Sequence, residues 1–417
     1  MTSRATKISA QRTKTRSRGP RSCRWGFRFG RRRNSSYLSA CLAVLACGIP
    51  IFSASALDPS KVLMQYVHDR WGAEEGFVGG EVNAIAQSGD GYLWIGTERG
   101  LVRFDGESFR LLQQPIADQP AIGPVRQLVA DNEGSVWARV DGRRLLRYRG
   151  GIFEDVVRTF DLPLMVFTAM SVDSGGGVLL TQLGNVTYRY RNGNVTKIRG
   201  MDDIPGNVIA IAETRDHTLW LGTSDHGLFR LEDVSLTQVG DPPERDVNVI
   251  LPANNGGLWI GSSHGLDAWD GKTMLRDPAN QSLKKLQILS ISKDAEGSVW
   301  LGTSDGLARI AAGGEASLEM LSGEPGSQIV TTFIDREGAL WFGGPHGIER
   351  IRDGTFSKYT EAWGLPTDSN GPIWADRLGR IWVAPIAGGL YWFKDPQGHA
   401  RQAGRSKPGR SLFHCGG

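Results

Sequence analysis

The sequence predicts an all-β protein, a propeller of four-stranded antiparallel blades, and three observations carry that prediction. A Trp-centred pattern, first met as GYLWIGTERGLVRFDGESF from Gly91 to Phe109, returns at Trp137, Trp220, Trp259, Trp300, Trp341 and Trp382. A degenerate copy with Leu179 in the Trp position fills the gap, so the eight anchors stand 43, 42, 41, 39, 41, 41 and 41 residues apart. That period is the length of a propeller blade. Each copy also holds short β-prone runs, in the first VNAIAQ, YLWIGT, LVRFDG and SFRLLQ, separated by SGDG, ERG and Gly106. The runs are nearly continuously apolar, as strands covered on both faces must be, and only neighbouring blades can cover both faces.

The chain opens on a basic leader. Residues 1–56 hold 12 Lys and Arg and no acid. Arg31, Arg32 and Arg33 precede the uncharged, largely apolar run Tyr37 to Phe52, and Ala54-Ser55-Ala56 offers a small-x-small cleavage site. Residues 1–56 therefore read as a signal peptide with a long basic n-region, cut after Ala56, and a periplasmic or extracytoplasmic destination follows. The apolar run is short for a bilayer span. An uncleaved leader would instead hold the protein at a membrane.

Val62 to Val67 read as an extra strand before the first repeat. Such a strand closes a propeller by completing its last blade. It can complete a seventh blade, leaving the Trp382 copy outside, or an eighth, because that copy lacks a clear fourth strand after Phe393. The favoured count is seven: a propeller over 57–360, and at 361–400 an extra repeat, either an eighth blade or the start of a truncated second propeller. Within each copy Trp94 and Gly96 share one strand face, the ring filling space between blades and the glycine admitting a neighbour. The Asp-x-x-Gly turns at Asp131–Gly134, Asp294–Gly297, Asp335–Gly338 and Asp376–Gly379 place glycine at a positive φ. Residues 401–417 lose the blade pattern and read as a disordered tail.

The formal charge of the whole chain is +4, and subtracting the leader's 12 positive charges leaves −8 for residues 57–417. A nucleic-acid partner is therefore not indicated. Of the four cysteines, Cys23, Cys41 and Cys47 lie in the leader and Cys415 stands alone, so no disulfide framework arises. There is no Gly-x-Ser-x-Gly elbow, phosphate-cradling Lys loop or His-Glu-x-x-His motif. No cofactor is expected. The loop between the second and third strands of each blade is the variable stretch, and it supplies the candidate ligand-binding residues Glu98, Arg99, Asp225, His226, His264, Asp305 and His346. Equivalent loops of successive blades share one face of the disc, around the central channel, where a rigid scaffold presents binding groups. The competing reading is that they are solvated polar turns. His226, His264 and His346 stand on different blades without paired near-neighbour ligands, so no metal site is expected. Arg139 occupies the slot of Gly96 in its copy, and such departures from a repeat mark either function or drift.

The copies, and the opening LDPSKVLMQYVHDRWGAEEGFVGGEVNAIAQSGDGYLWIGTERGLVRFDG, resemble the two-component regulator propeller family over about Leu57 to Lys394. The resemblance implies the sensor repeats of bacterial histidine kinases or diguanylate cyclases, here without the output domain. It implies ligand sensing, an oligosaccharide as one ligand class, and a separate signalling partner. The alternative is a propeller enzyme, a lyase or glycosidase, which needs paired carboxylates or an Arg cluster converging on the channel.

Overall fold

The computed structural model describes residues 57–402 apart from 60, 114–115, 117–120, 241–245, 254–255, 277–282, 284–285, 313–317, 322–326, 355–364, 367–370, 379, 387 and 394–400. The leader, its cleavage site and residues 403–417 lie outside the described residues.

The described residues form eight four-stranded antiparallel sheets. Blade 1 takes Val82–Gln87, Leu93–Thr97, Gly100–Phe104 and Phe109–Leu112 in that order. Blades 2 to 6 repeat it, with first strands Val125–Ala130, Phe167–Val172, Val208–Glu213, Val249–Pro252 and Ile288–Lys293. Blade 7 takes three strands in sequence, Thr331–Ile334, Leu340–Gly344 and Gly347–Arg352, and its fourth is Val67–Trp71. First strands of consecutive blades pack side by side, and that of blade 7 packs on that of blade 1, closing the ring. The eighth sheet, Ile373–Ala375, Ile381–Val383, Tyr391–Phe393 and Arg401–Gln402, takes no place in that circle, and its first strand is exposed.

Two expectations about the ends need correction. The extra strand starts at Val67, not Val62, because Leu63–Gln65 makes a 3-10 turn instead. That turn drops Leu63 and Tyr66 into the core around Trp300 and Phe342. Arg309 fixes its approach by donating to the Lys61 and Pro59 carbonyls at 2.6 and 3.0 Å. The Trp382 copy does have a fourth strand, since Arg401 and Gln402 pair with Trp392 and Tyr391. The first two residues of the segment read as a tail are therefore in a sheet.

The repeat works through a carboxylate and an indole. Trp137, Trp300, Trp341 and Trp382 donate their ring N–H to Asp131, Asp294, Asp335 and Asp376 at 2.8, 2.9, 2.6 and 2.9 Å. The other oxygen of each carboxylate accepts a backbone N–H within the turn, so one aspartate shapes the hairpin and satisfies a buried donor. Ser88 serves Trp94 in the same way, whereas Trp220, with Thr214 in the aspartate position, keeps a buried N–H without an acceptor. Trp94, Trp300 and Trp341 are buried, and so is Trp220. Trp259 is less buried than these, though it still packs against the core beside Ile288 and Leu301. Ala253 replaces the aspartate there, and Ala268 stands opposite where other blades carry an arginine over the ring. The glycine slot holds as expected: a Cβ on Gly96 would lie 2.7 Å from Val125 Cγ1 of the next blade.

Candidate functional site

A strand's end and the start of its neighbour lie together in an antiparallel pair, so the second-to-third loops share a face with the entries to the first strands. Thr97 pairs with Val82, and Thr223 with Val208. The loops are pinned alike. Thr97, Thr223, Ser262 and Thr303 each donate a hydroxyl hydrogen to the carbonyl of Gly100, Gly227, Gly265 and Gly306, at 2.8–3.2 Å. The same oxygens accept the backbone N–H of Arg99, His226, His264 and Asp305. The backbone at these candidate positions is thus set by a hydroxyl turn, leaving their side chains to vary.

The seven candidates do not converge. Arg99 and His346 line one cleft of about 430 Å³ at the seam between blades 1 and 7, with Arg70, Glu74, Glu75 and Phe77. Glu98 folds over Gly80 beside it. Asp225 and His226 pair with each other on blade 4, Oδ1 to Nδ1 at 2.7 Å, and hydrogen bonds from His226 and Ser224 hold the Asp225 carboxyl below the usual carboxylate range. His264 stands 3.6 Å from Asp246 on blade 5. Asp305 is an exposed turn residue on blade 6.

A second cleft of about 480 Å³ runs on from the first along the blade 6–blade 7 side, and Arg70, His346 and Gly347 belong to both. The wall of this second cleft comes from the closing strand. His68 Nε2 lies 2.5 Å from Glu349 Oε2, and Arg70 Nε lies 3.9 Å from Glu349 Oε1, Arg70 being directly opposite Glu349 in the ladder. Ser327, Gln328 and the apolar Leu307, Ile329 and Phe342 complete it. Cations, a carboxylate, imidazoles and an apolar floor suit a polar ligand with some apolar surface. The sequence pointed to the closing strand but not to His68, Arg70 or Glu349, whose placement depends on a pairing between distant segments.

On the opposite face, blade 3 replaces the missing indole with ions. Asp173 accepts from Arg191 at 2.7 Å, and Arg189 Nη2 meets Glu213 of blade 4 at 2.5 Å. Ser174 Oγ lies 2.7 Å from Glu213 Oε2 and 2.9 Å from His217 Nδ1, while Glu213 Oε1 lies 3.7 Å from that same nitrogen. Serine and carboxylate therefore share one ring nitrogen, whereas a hydrolytic triad needs one on each. This is an inter-blade clamp. Among the described residues no group of three or more His, Cys, Asp or Glu is placed to hold a metal, and no helix is long and apolar enough to cross a membrane.

The fold and its repeat define a class, the seven-bladed propeller, built on a Trp–Gly strand and a closing N-terminal strand. The family model of the two component regulator propeller matches residues 76–99. Among solved structures, the chain is similar to the extracellular domain of the putative hybrid two component system BT3049 from B. thetaiotaomicron. The identity is 22% and the TM-score 0.65, over 81% of this chain and 49% of that one. For the corresponding domain of BT4673 from the same organism the values are 21% and 0.57, over 82% and 47%. This chain thus spans about half the length of those domains. Virginiamycin B lyase from Staphylococcus aureus shares the fold at 15% identity and a TM-score of 0.53, over 69% of this chain and 99% of that one. No curated protein sequence matches the chain.

Proposed function

We propose that this chain is the extracytoplasmic input part of a two-component type sensor and that it takes its ligand in the loop-face clefts at the closing seam. One observation carries the reading: Arg70 and His346 line both clefts, and Arg70 lies on the strand that closes the ring. A ligand seated there touches both ends of the circle, so its binding energy goes into the closure. Differential affinity for two closure states is what a sensor transmits to a separate signalling partner. Arginines, carboxylates and imidazoles beside an apolar floor fit a hydroxyl-rich ligand, and an oligosaccharide is the class proposed. The likeness to extracellular sensor domains supports an exported location.

The enzymatic reading has less support at this site, because Glu349 already engages His68 and Arg70. The test is a thermal-shift and calorimetric screen of residues 57–402 against oligosaccharides, with product analysis of every hit. Binding without turnover, abolished by Arg70→Ala and His346→Ala but kept in Asp225→Ala, supports the proposal. Ligand consumption that depends on Glu349 overturns it in favour of an enzyme. Binding unaffected by the seam substitutions moves the site elsewhere.

A further inference from the structure

The closing strand Val67–Trp71 runs from one face of the disc to the other. Its Trp71 end pairs with Ile348, next to the loop-face clefts, and its Val67 end pairs with Arg352 on the opposite face. Arg70 and the proposed ligand site belong to the first end. The second end is continuous with residues 57–66, and the described residues of that segment touch three separate parts of the molecule.

The first is blade 6. Leu57, Leu63 and Tyr66 are buried in the core that holds Trp300, Phe342 and Ile351. Tyr66 meets the edge of the Trp300 ring, centroids 6.3 Å apart and planes at 64°. Arg309 lies over both rings while it donates to the Lys61 and Pro59 carbonyls. The second is the exit of blade 7, where Lys61 Nζ donates to the Asp353 carboxylate and, at 3.1 Å, to the Gly354 carbonyl. The third is the eighth sheet. Val62 packs on the small core of Leu365, Val383, Tyr391 and Phe393. The eighth sheet is therefore held by the N-terminal segment as well as by the chain that leads to it from Gly354. Tyr66 and Leu63 stand one and four residues before the closing strand, so a shift of that strand moves them. Close-packed contacts pass such a shift on to Val62 rather than absorb it.

We propose that residues 57–66 are a tie-bar coupling the closing seam to the eighth sheet, so that a ligand altering closure at Arg70 is read out at that sheet. The proposal rests on the seating of the ligand at the seam. Coupling between two sites needs an element whose state both of them bias. The closing strand and its tie-bar are that element, biased by the ligand at one end and by the eighth sheet at the other.

The experiment is hydrogen exchange read by mass spectrometry, with the seam loosened by substitution. It needs no ligand, so its failure is distinct from a failure of the seam site, which the oligosaccharide screen tests. Asp69→Asn is the seam variant, with Trp71→Ala in its place if the first leaves exchange at Val67–Trp71 unchanged. The seam variant should quicken exchange at Ile381–Val383 and Tyr391–Phe393 by about fivefold or more. Glu213→Ala, on the far side of the ring between blades 3 and 4, should leave those two strands at the parental rate. Val62→Ser and Lys61→Ala should each quicken them directly, and adding the seam variant to either should then change them no further. The proposal is overturned if the eighth sheet ignores the seam variants, if it ignores both tie-bar variants, if Glu213→Ala loosens it as much as the seam variant does, or if the seam response survives in both tie-bar variants.

Discussion

Trp71 and Trp341 stack across the seam of the ring, centroids 5.6 Å apart and planes at 15°, although one precedes the first blade and the other belongs to the last. Arg350 lies over both rings, at 5.4 and 5.1 Å, and donates to Asp69 Oδ2 at 2.7 Å. Asp69 also receives Arg352. The closure is thus an aromatic stack capped by ions, and it joins segments that no local propensity would bring together.

Closure should weaken in acid. Burial pushes the Asp69 carboxyl up, but hydrogen bonds and charge from Arg350 and Arg352 outweigh it, and the group stays below its ordinary value. A depressed folded pKa contributes stability that is present above the unfolded value, about 3.9 for Asp, and is lost as pH falls through the folded value. Asp69→Asn should lower stability at neutral pH by about 1–2 kcal/mol and flatten the acid limb below about pH 4. Urea melts at pH 3 and pH 7 measure this; an unchanged acid limb would show that Asp69 does not govern closure.

Removing the acceptor of a buried indole should cost more than removing the indole's N–H where no acceptor exists. Asp294→Ala strands the Trp300 N–H and opens its turn, for about 1–3 kcal/mol from the lost partner alone. Replacing Asp294 and Trp300 together, the latter by Phe, should cost less than the sum of the two single changes. Equilibrium unfolding of the four proteins reads the coupling, and strict additivity would refute the bond.

The glycine slot is a steric requirement with a named opponent. Gly96→Ala forces a Cβ against Val125 Cγ1 and should destabilise by about 1–3 kcal/mol. Val125→Ala made in the same chain should recover part of that loss. If the double variant melts at the temperature expected from independent effects, the two residues do not oppose each other.

The ionic clamp between blades 3 and 4 should be fragile to removal of one partner. Glu213 is buried and receives Arg189, Ser174 Oγ and the Ser174 backbone N–H. Glu213→Ala should cost about 3–5 kcal/mol, because a largely desolvated guanidinium is left short of charge. Hydrogen exchange should show loosening concentrated at blades 3 and 4; a uniform or absent effect would make the cluster incidental.

The sequence by itself determined the blade. A 39–43-residue period, a Trp–Gly strand and turn glycines are local chemistry, and each strand needs only its own alternation and turns to be recognised. Burial of Trp94, Trp137 and Trp300 follows from that pattern, since a sheet apolar on both faces must find neighbours. The hydroxyl turns at Thr97, Thr223 and Thr303 were also present in the letters, though their work is visible only as hydrogen bonds. Tertiary structure alone decided how the ring ends. Val67–Trp71 is β-prone enough to complete either of two sheets, and its register against Ile348–Arg352 is fixed by the Trp71–Trp341 stack and the Asp69–Arg350 pair, both contacts between distant segments. That same pairing sets Arg70 opposite Glu349 and gathers Arg99 and His346 into one cleft, while His226, His264 and Asp305, identical in local setting, stay apart on other blades. A repeat specifies every copy alike; only closure of the circle makes one loop position differ from the next.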